Sequence, residues 1–392
     1  MKTESFQGSI SGVDNHEKGI CVMTPGSQLQ RLKDQGRTII ACFPPYPPLP
    51  LFHSMGLVPV VGWGLRDHIA QTGAGDRHLP PYTCSVARHL TEFILTDARD
   101  VIDGIFMYNA CDTLRSLPEI LMDELSAAGR DMPIFRMHLP MSHRDHTDAS
   151  AYLENEIHEL VGDISGAYGV VFSPGRFQAS VVLYQRMRHL AVEASNRVAA
   201  GRISFADFTD VMLKGAFMPV EDHIAALAAL IGSAGCEPAD ETTGVMISGI
   251  LAPPAAVIKA IELAGLTIVV DDVAPLYRSY GLMPGPQSDP GDYFRRHYDD
   301  HYPCPTLLHT ADQRAAALVE RVAQNNARAV IFLGEKFCEY EYFEIPYLAA
   351  KLSDKGISTL QIELSIEDGP HTAAHDARIA AFAEMIRQHP DK

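Results

Sequence analysis

Residues 329–343 read AVIFLGEKFCEYEYF. Ala329 to Leu333 is a five-residue apolar run closed by a glycine, the length and composition of a strand buried on both faces of a parallel sheet. Cys338 follows, so a cysteine stands where such a strand empties into a loop. The same arrangement occurs earlier, in GIFMYNACDTLRSL at 104–117: a strand-like run from Gly104 to Tyr108, then Cys111, then a helix-like stretch.

Outward from these two points, short β-branched runs alternate with longer helical patterns, the signature of α/β layers. One set of strands is expected at Thr38–Phe43, Val58–Gly62, Gly104–Tyr108 and Ile134–His138, and a second at Gly244–Ile250, Thr267–Asp271, Ala329–Leu333 and Thr359–Leu364. Between them, SAYLENEIHELVG, FQASVVLYQRMRHLAVEAS and VEDHIAALAALIG carry apolar residues at three- and four-residue steps and read as helices. The expected architecture is two doubly wound parallel-sheet domains of Rossmann or flavodoxin type with a helical connecting segment. Its divisions are an amino-terminal extension at 1–35, a first α/β domain at 36–150 holding Cys84 and Cys111, a helical segment at 151–240, and a second α/β domain at 241–392 holding Cys338. The Gly- and Pro-rich stretch YRSYGLMPGPQSDPGDYF from Tyr277 reads as a long loop.

With 392 residues there is enough chain for two cores. A formal charge of −17 argues against a nucleic-acid surface, which needs clustered Lys and Arg. No run approaches the roughly 18–20 apolar residues of a membrane span, and residues 1–30 lack the pattern of a secretion signal, so the cytoplasm is the expected location.

Seven cysteines, at 21, 42, 84, 111, 236, 304 and 338, lie too far apart for a disulfide framework and show no CxxC pair. Cys84, in LPPYTCSVARHLTEFIL, begins a helix whose apolar face is Val86, Leu90, Phe93 and Ile94, and a helix start favours a thiolate. Loops beyond the carboxyl ends of parallel strands are where ligands gather. Cys84, Cys111 and Cys338 therefore sit in plausible ligand positions, although a small core residue is the ordinary role of a lone cysteine and the pattern leaves both readings open. Cys21, Cys42 and Cys236 read as core or irregular-segment residues, and Cys304, between two prolines, reads as part of a rigid turn.

The stretches FPPYPPLPLFHSMGLVPV, GDRHLPPYTCSVARHLTEFIL, IDGIFMYNACDTLRSL, GVMISGILAPPAAVIKAIELAGLTIVVDD and ARAVIFLGEKFCEYEYFEIPYLAAKLSDKGISTLQIEL together resemble the 2-hydroxyacyl-CoA dehydratase and benzoyl-CoA reductase family, from about Gly36 to Ile386. The resemblance implies a 4Fe-4S cluster held by Cys84, Cys111 and Cys338 with one iron left open, and radical dehydration of an acyl-CoA through a ketyl-type anion. It also implies a related second subunit in a heterodimer and a separate ATP-hydrolysing iron–sulfur activator; consistent with that division, the chain has no GxxxxGK[ST] phosphate loop. Alternatives within the family are a subunit of an ATP-dependent aromatic acyl-CoA reductase and a double-cubane cluster reductase, for which Cys42 or Cys304 are the available extra ligands. A non-catalytic electron-transfer or scaffold subunit is the reading outside catalysis. The family's substrate-binding subunits carry a serine and an acidic pair after the first strand, whereas CFPPYPPLPLFHSMG has no carboxylate there.

Tyr46, His53 and Tyr82 are expected at the mouth of the substrate pocket. Asp112 is expected to cap the helix after Cys111, Glu335 and Glu339 to be solvated loop charges, and Asp271 and Asp272 to finish a strand, with an acid/base role that depends on geometry. His138, His143 and His146 are irregularly spaced and read as a surface loop and not as metal ligands.

Overall fold

Among the described residues, eight short runs of Val, Ile and aromatic residues form two four-stranded sheets, every strand pair parallel. The structure, a computed structural model, describes residues 24–65, 68–69, 71–140, 147–233, 243–282, 284–365 and 373–388. Cys21, Cys236, His143 and His146 lie outside the described residues.

The first part runs α1 (Pro25–Asp34), β1 (Thr38–Phe43), α2 (Leu49–Ser54), β2 (Leu57–Val61), α3 (Ser85–Leu95), β3 (Gly104–Tyr108), α4 (Asp112–Ala127) and β4 (Ile134–Met137). Four helices follow: α5 (Thr147–Tyr168), α6 (Pro174–Ala199), α7 (Phe205–Gly215) and α8 (Val220–Gly232). The rest is β5 (Thr243–Gly249), α9 (Ala255–Leu263), β6 (Leu266–Val273), α10 (Tyr277–Tyr280), α11 (Pro290–Asp299), α12 (Ala311–Gln324), β7 (Ala329–Glu335), α13 (Glu339–Ser353), β8 (Ser358–Leu364) and α14 (Ala373–Gln388). Each expected strand is present with its ends displaced by two residues or fewer.

Strand order is β2-β1-β3-β4 in one sheet and β6-β5-β7-β8 in the other. The two sheets thus share one topology, and in each the order reverses beside its first strand. In the second sheet, alternate residues of the central strands face opposite layers. Val245, Ile247, Ile331 and Leu333 pack with Ile258 of α9 and Ile379 of α14, while Met246, Val330 and Phe332 pack with Leu318 of α12 and Leu348 of α13. Gly249, at the end of β5, has no room for a side chain: a Cβ there would lie 2.9 Å from the Leu333 carbonyl oxygen.

The stretch from Tyr277 is not one long loop. It contains α10 and α11, and α11 begins at Pro290 with the Asp289 side chain accepting the Asp292 amide. An Asp-Pro start is a strong helix signal that the surrounding glycines and prolines obscure. Tyr293, Phe294 and Tyr298 of α11 join the core of the first sheet, so chain from the second half completes the first core. No helix among the described residues is long and apolar enough to cross a membrane.

Candidate functional site

Cys84, Cys111 and Cys338 line a single cavity of about 580 Å³, within the usual range of ligand sites. All three occupy the same kind of position, the N-cap of a helix: Cys84 of α3, Cys111 of α4 and Cys338 of α13. Cys111 follows β3 and Cys338 follows β7, the strands on the far side of each order reversal. Two sheets of like topology therefore bring their switch points to one void. Three helix N-termini add positive partial charge and free amides around it.

The Cys111 sulfur accepts the Leu114 amide at 3.4 Å. That makes Cys111 the cap of α4; Asp112, expected in that role, is the first helical residue, largely exposed and 3.6 Å from Arg115. Cys338 is preceded by Phe337 at φ 65°, a left-handed conformation uncommon for a bulky residue, which turns the chain from β7 into α13.

Burial pushes the Cys84 thiol up to about 12, opposed by the amides of Ala87 and Val86 and reinforced by Cys111 and Glu335. Burial likewise raises Cys111, and raises Cys338 well above the ordinary thiol value, with Glu341, Cys84 and Cys111 adding to it. The sulfurs thus sit within one another's electrostatic reach, and without a compensating positive centre all three remain protonated at neutral pH.

Two buried carboxyl groups, Glu335 and Glu341, flank Cys338 in the chain. Glu335, expected to be solvated, is 2% exposed at the end of β7 and accepts a hydrogen bond from the Ser85 hydroxyl at the start of α3. Glu339 is exposed. The Glu341 carboxylate accepts the Glu335 amide at 2.7 Å and the Ile250 amide at 2.8 Å, tying α13 to β5 and β7. Burial raises Glu341 to about 7, against the amides of Glu335 and Ile250 and the Arg278 cation. No signal in the sequence marks Glu335 as buried; Glu341 is detectable as an acid in the first turn of a helix that starts at a cysteine.

Of the three expected pocket residues, only Tyr82 lines this cavity, at its exposed rim with Phe337 and Phe343. Tyr46 is buried on the other side of Trp63, its hydroxyl 3.3 Å from the Ala274 carbonyl and 3.2 Å from the Cys304 sulfur. His53 sits on α2, paired with Ser180 at 2.7 Å and Glu221 at 3.2 Å. Cys42 lies within β1 and Cys304 beside the cavity, but neither lines it. His138 is half exposed, with Glu156 as its neighbour.

Asp271 and Asp272 do not face the cavity. Asp272 accepts from Arg278 at 2.7 and 2.9 Å, Ser248 at 2.6 Å and Arg314 at 3.2 Å. Burial alone would raise its carboxyl; Arg278 and Arg314 overcome that and hold it at about 2. The Asp271 carboxylate accepts the Tyr277 and Val273 amides. Both are structural anchors, and Asp272, fixed in its ionised form, is unsuited to proton transfer near neutral pH.

Among the described residues, no group of three or more His, Cys, Asp or Glu side chains is placed to hold a metal ion. A cubane differs from an ion in offering each thiolate its own iron, so thiolates spaced around a void satisfy it where they would not chelate a single ion. Three soft donors at helix N-termini, lining a largely apolar cavity, fit such a group.

A sequence model of the 2-hydroxyglutaryl-CoA dehydratase D-component matches residues 44–386. One of the subunits of the benzoyl-CoA reductase of Thauera aromatica is 26% identical over 90% of this chain and 92% of that protein. The (R)-phenyllactyl-CoA dehydratase beta subunit of Clostridium sporogenes is 22% identical over 91% of this chain and 94% of that protein. The lactoyl-CoA dehydratase beta subunit of Anaerotignum propionicum is 24% identical, with 90% and 93% covered. The chain belongs to the 2-hydroxyglutaryl-CoA dehydratase D-component family, and it resembles these dehydratase and reductase subunits along nearly their whole length.

Proposed function

We propose that this chain is the cluster-holding subunit of an enzyme of 2-hydroxyacyl-CoA dehydratase type, with Cys84, Cys111 and Cys338 as ligands of a 4Fe-4S cluster. The observation that carries the proposal is the meeting of three helix N-cap cysteines, drawn from both sheets, around one cavity. When bound, such a cluster supplies one-electron reducing chemistry with an iron left open to a small ligand.

The protein's own groups have defined tasks. Cys84, Cys111 and Cys338 give up their protons as iron binds, since a thiolate is the ligating form. The free amides of α3, α4 and α13 offset the added negative charge, and the Leu114 amide orients the Cys111 sulfur. Trp63, Ile250 and Val86 present apolar wall, which limits water at the sulfurs. Ser85 and Glu335 lock α3 to β7, fixing Cys84 relative to Cys338. The cavity's size favours a chain that admits an acyl-CoA arm over a closed electron relay.

The similarity to a benzoyl-CoA reductase subunit supports a second reading, an ATP-dependent aromatic acyl-CoA reductase. A double cubane would need Cys42 or Cys304 among the ligands, and neither borders the cavity. Because the relatives are named as subunits, we infer a related partner chain in a heterodimer; an ATP-hydrolysing iron–sulfur activator and a cytoplasmic location complete the proposal on the family resemblance alone. The repeated strand order and the packing of helices on both faces of the second sheet support a doubly wound, Rossmann- or flavodoxin-like fold for each domain.

The test is anaerobic reconstitution with a partner subunit and an activator, followed by parallel assays of 2-hydroxyacyl-CoA dehydration and aromatic acyl-CoA reduction. Dehydration that disappears with Cys338→Ala is the expected result. Ring reduction alone would select the second reading, and full activity in the Cys338→Ala variant would overturn the ligand assignment.

A further inference from the structure

On the far side of Trp63 from the three cysteines is a second, smaller cavity of about 90 Å³. It is walled by α6, α7 and α8 and by the segments after β1 and β6. Most of its lining is apolar: Trp63, Met187, Met212, Val220 and several prolines. Arg188 also lines it, 5% exposed, and its Nε and Nη1 atoms are buried without a hydrogen-bond partner. Among the described residues Arg188 has no ion pair, and no Asp or Glu lines the cavity. Two imidazoles share the lining, and they too carry buried nitrogens without partners, Nδ1 of His297 and Nε2 of His223. Burial lowers both, His223 to about 4, so neither competes with Arg188 as a cation at neutral pH.

A guanidinium cannot shed its proton to escape burial. Elsewhere in the molecule the buried Arg278 is paired with Asp272, and Arg314 with Asp272 and Glu344. Glu221, on α8, is engaged by His53. Arg188 is therefore a buried cation facing a void with its anion missing.

We propose that this cavity is a binding site for a small monocarboxylate, its carboxylate held by Arg188 and its short apolar tail against Trp63, Met187 and Met212. A planar fork of N–H donors matches a carboxylate, and an apolar lining suits a short hydrocarbon tail better than the many acceptor oxygens of phosphate. The volume is below the roughly 150 Å³ of a cavity that accepts benzene, so the ligand is a short-chain acid. The site stands on Arg188 and its surroundings, independently of whether the three cysteines hold iron.

Trp63 is the chain's sole tryptophan and lines the cavity, so its fluorescence reports occupancy. The experiment titrates the full-length chain with sodium butyrate, sodium chloride, butyramide and inorganic phosphate at matched ionic strength, reading Trp63 emission and the melting temperature. Saturable quenching or shift with a raised melting temperature is expected for butyrate alone. Arg188→Met, which removes the unpaired charge, is expected to melt higher than the native chain without ligand and to bind butyrate about tenfold more weakly or worse. If Arg188→Met does not fold, Ala216→Leu keeps the guanidinium and fills the cavity, and the butyrate response is expected to vanish. No response of the native chain to butyrate, an equal response to butyramide, chloride or phosphate, or an undiminished response in Arg188→Met or Ala216→Leu would overturn the proposal.

Discussion

Beyond the strand ends lie two assemblies, one around Asp272 at the end of β6 and one where three helix-capping cysteines from both parts of the chain meet, and they differ in whether their polar groups are satisfied. Around Asp272, two arginines and a serine hydroxyl satisfy a single carboxylate, which is held at about 2. At the three-cysteine cavity the helix amides oppose a burial that raises all three thiols. A complete network is architecture. An incomplete one, opening on a cavity, is a place for something else, and the same contrast separates paired Arg278 from Arg188, which has no ion pair among the described residues.

The largest effect on stability is expected where the complete network is broken. Arg278→Met leaves the Asp272 carboxylate buried with one cation fewer and should cost about 3–5 kcal/mol in denaturant unfolding. A loss below about 1 kcal/mol would mean that Arg314 suffices. Next comes pH. The depressed Asp272 group contributes stability that is present above its unfolded value near 3.9 and is lost as pH falls toward about 2. Glu341 behaves oppositely. Raised to about 7, it keeps its proton in the folded state after the unfolded chain has lost its own, so the metal-free chain loses stability as pH rises from about 4.5 to 7. Glu341→Gln keeps an oxygen for only one of the Glu335 and Ile250 amides and turns a donor toward the other, so it should be less stable throughout, but it should remove that decline with pH, worth roughly 3 kcal/mol across the window; the pH slopes of unfolding curves of both chains between those values check it. The smallest effect is at the rim. Phe343 is 81% exposed on α13, so Phe343→Ser should change the unfolding free energy by less than about 0.5 kcal/mol while leaving iron content unchanged.

The strands are legible because β-branched runs such as Thr38–Phe43 and Ala329–Leu333 carry their own punctuation, and so are the positions of Cys111 and Cys338 just beyond a strand and of Cys84 at the start of a helix. Side-chain environment is less so. Glu335 looks solvated in GEKFCE, and its bond to Ser85, 250 positions away, shows otherwise. Asp112 looks like a cap because aspartate usually is one, yet the cysteine one position earlier takes the role. Arg188 leaves a usable signal: it falls on the buried stripe of α6 between Tyr184 and Ala191, where an apolar residue belongs. Tyr46 and His53 fall outside the three-cysteine cavity because proximity to a strand end does not reveal where a side chain points: Tyr46 lies on the other side of Trp63, and His53 turns to Ser180 and Glu221.

The most direct measurement is iron and acid-labile sulfide content after anaerobic reconstitution, with an electronic spectrum, in the native chain and in Cys84→Ala, Cys111→Ala and Cys338→Ala. About four iron and four sulfide per native chain, with each variant losing them while remaining folded by circular dichroism, is the result expected of three cysteines serving one cubane. A native chain that takes up no iron, or variants that keep the full complement, would contradict it.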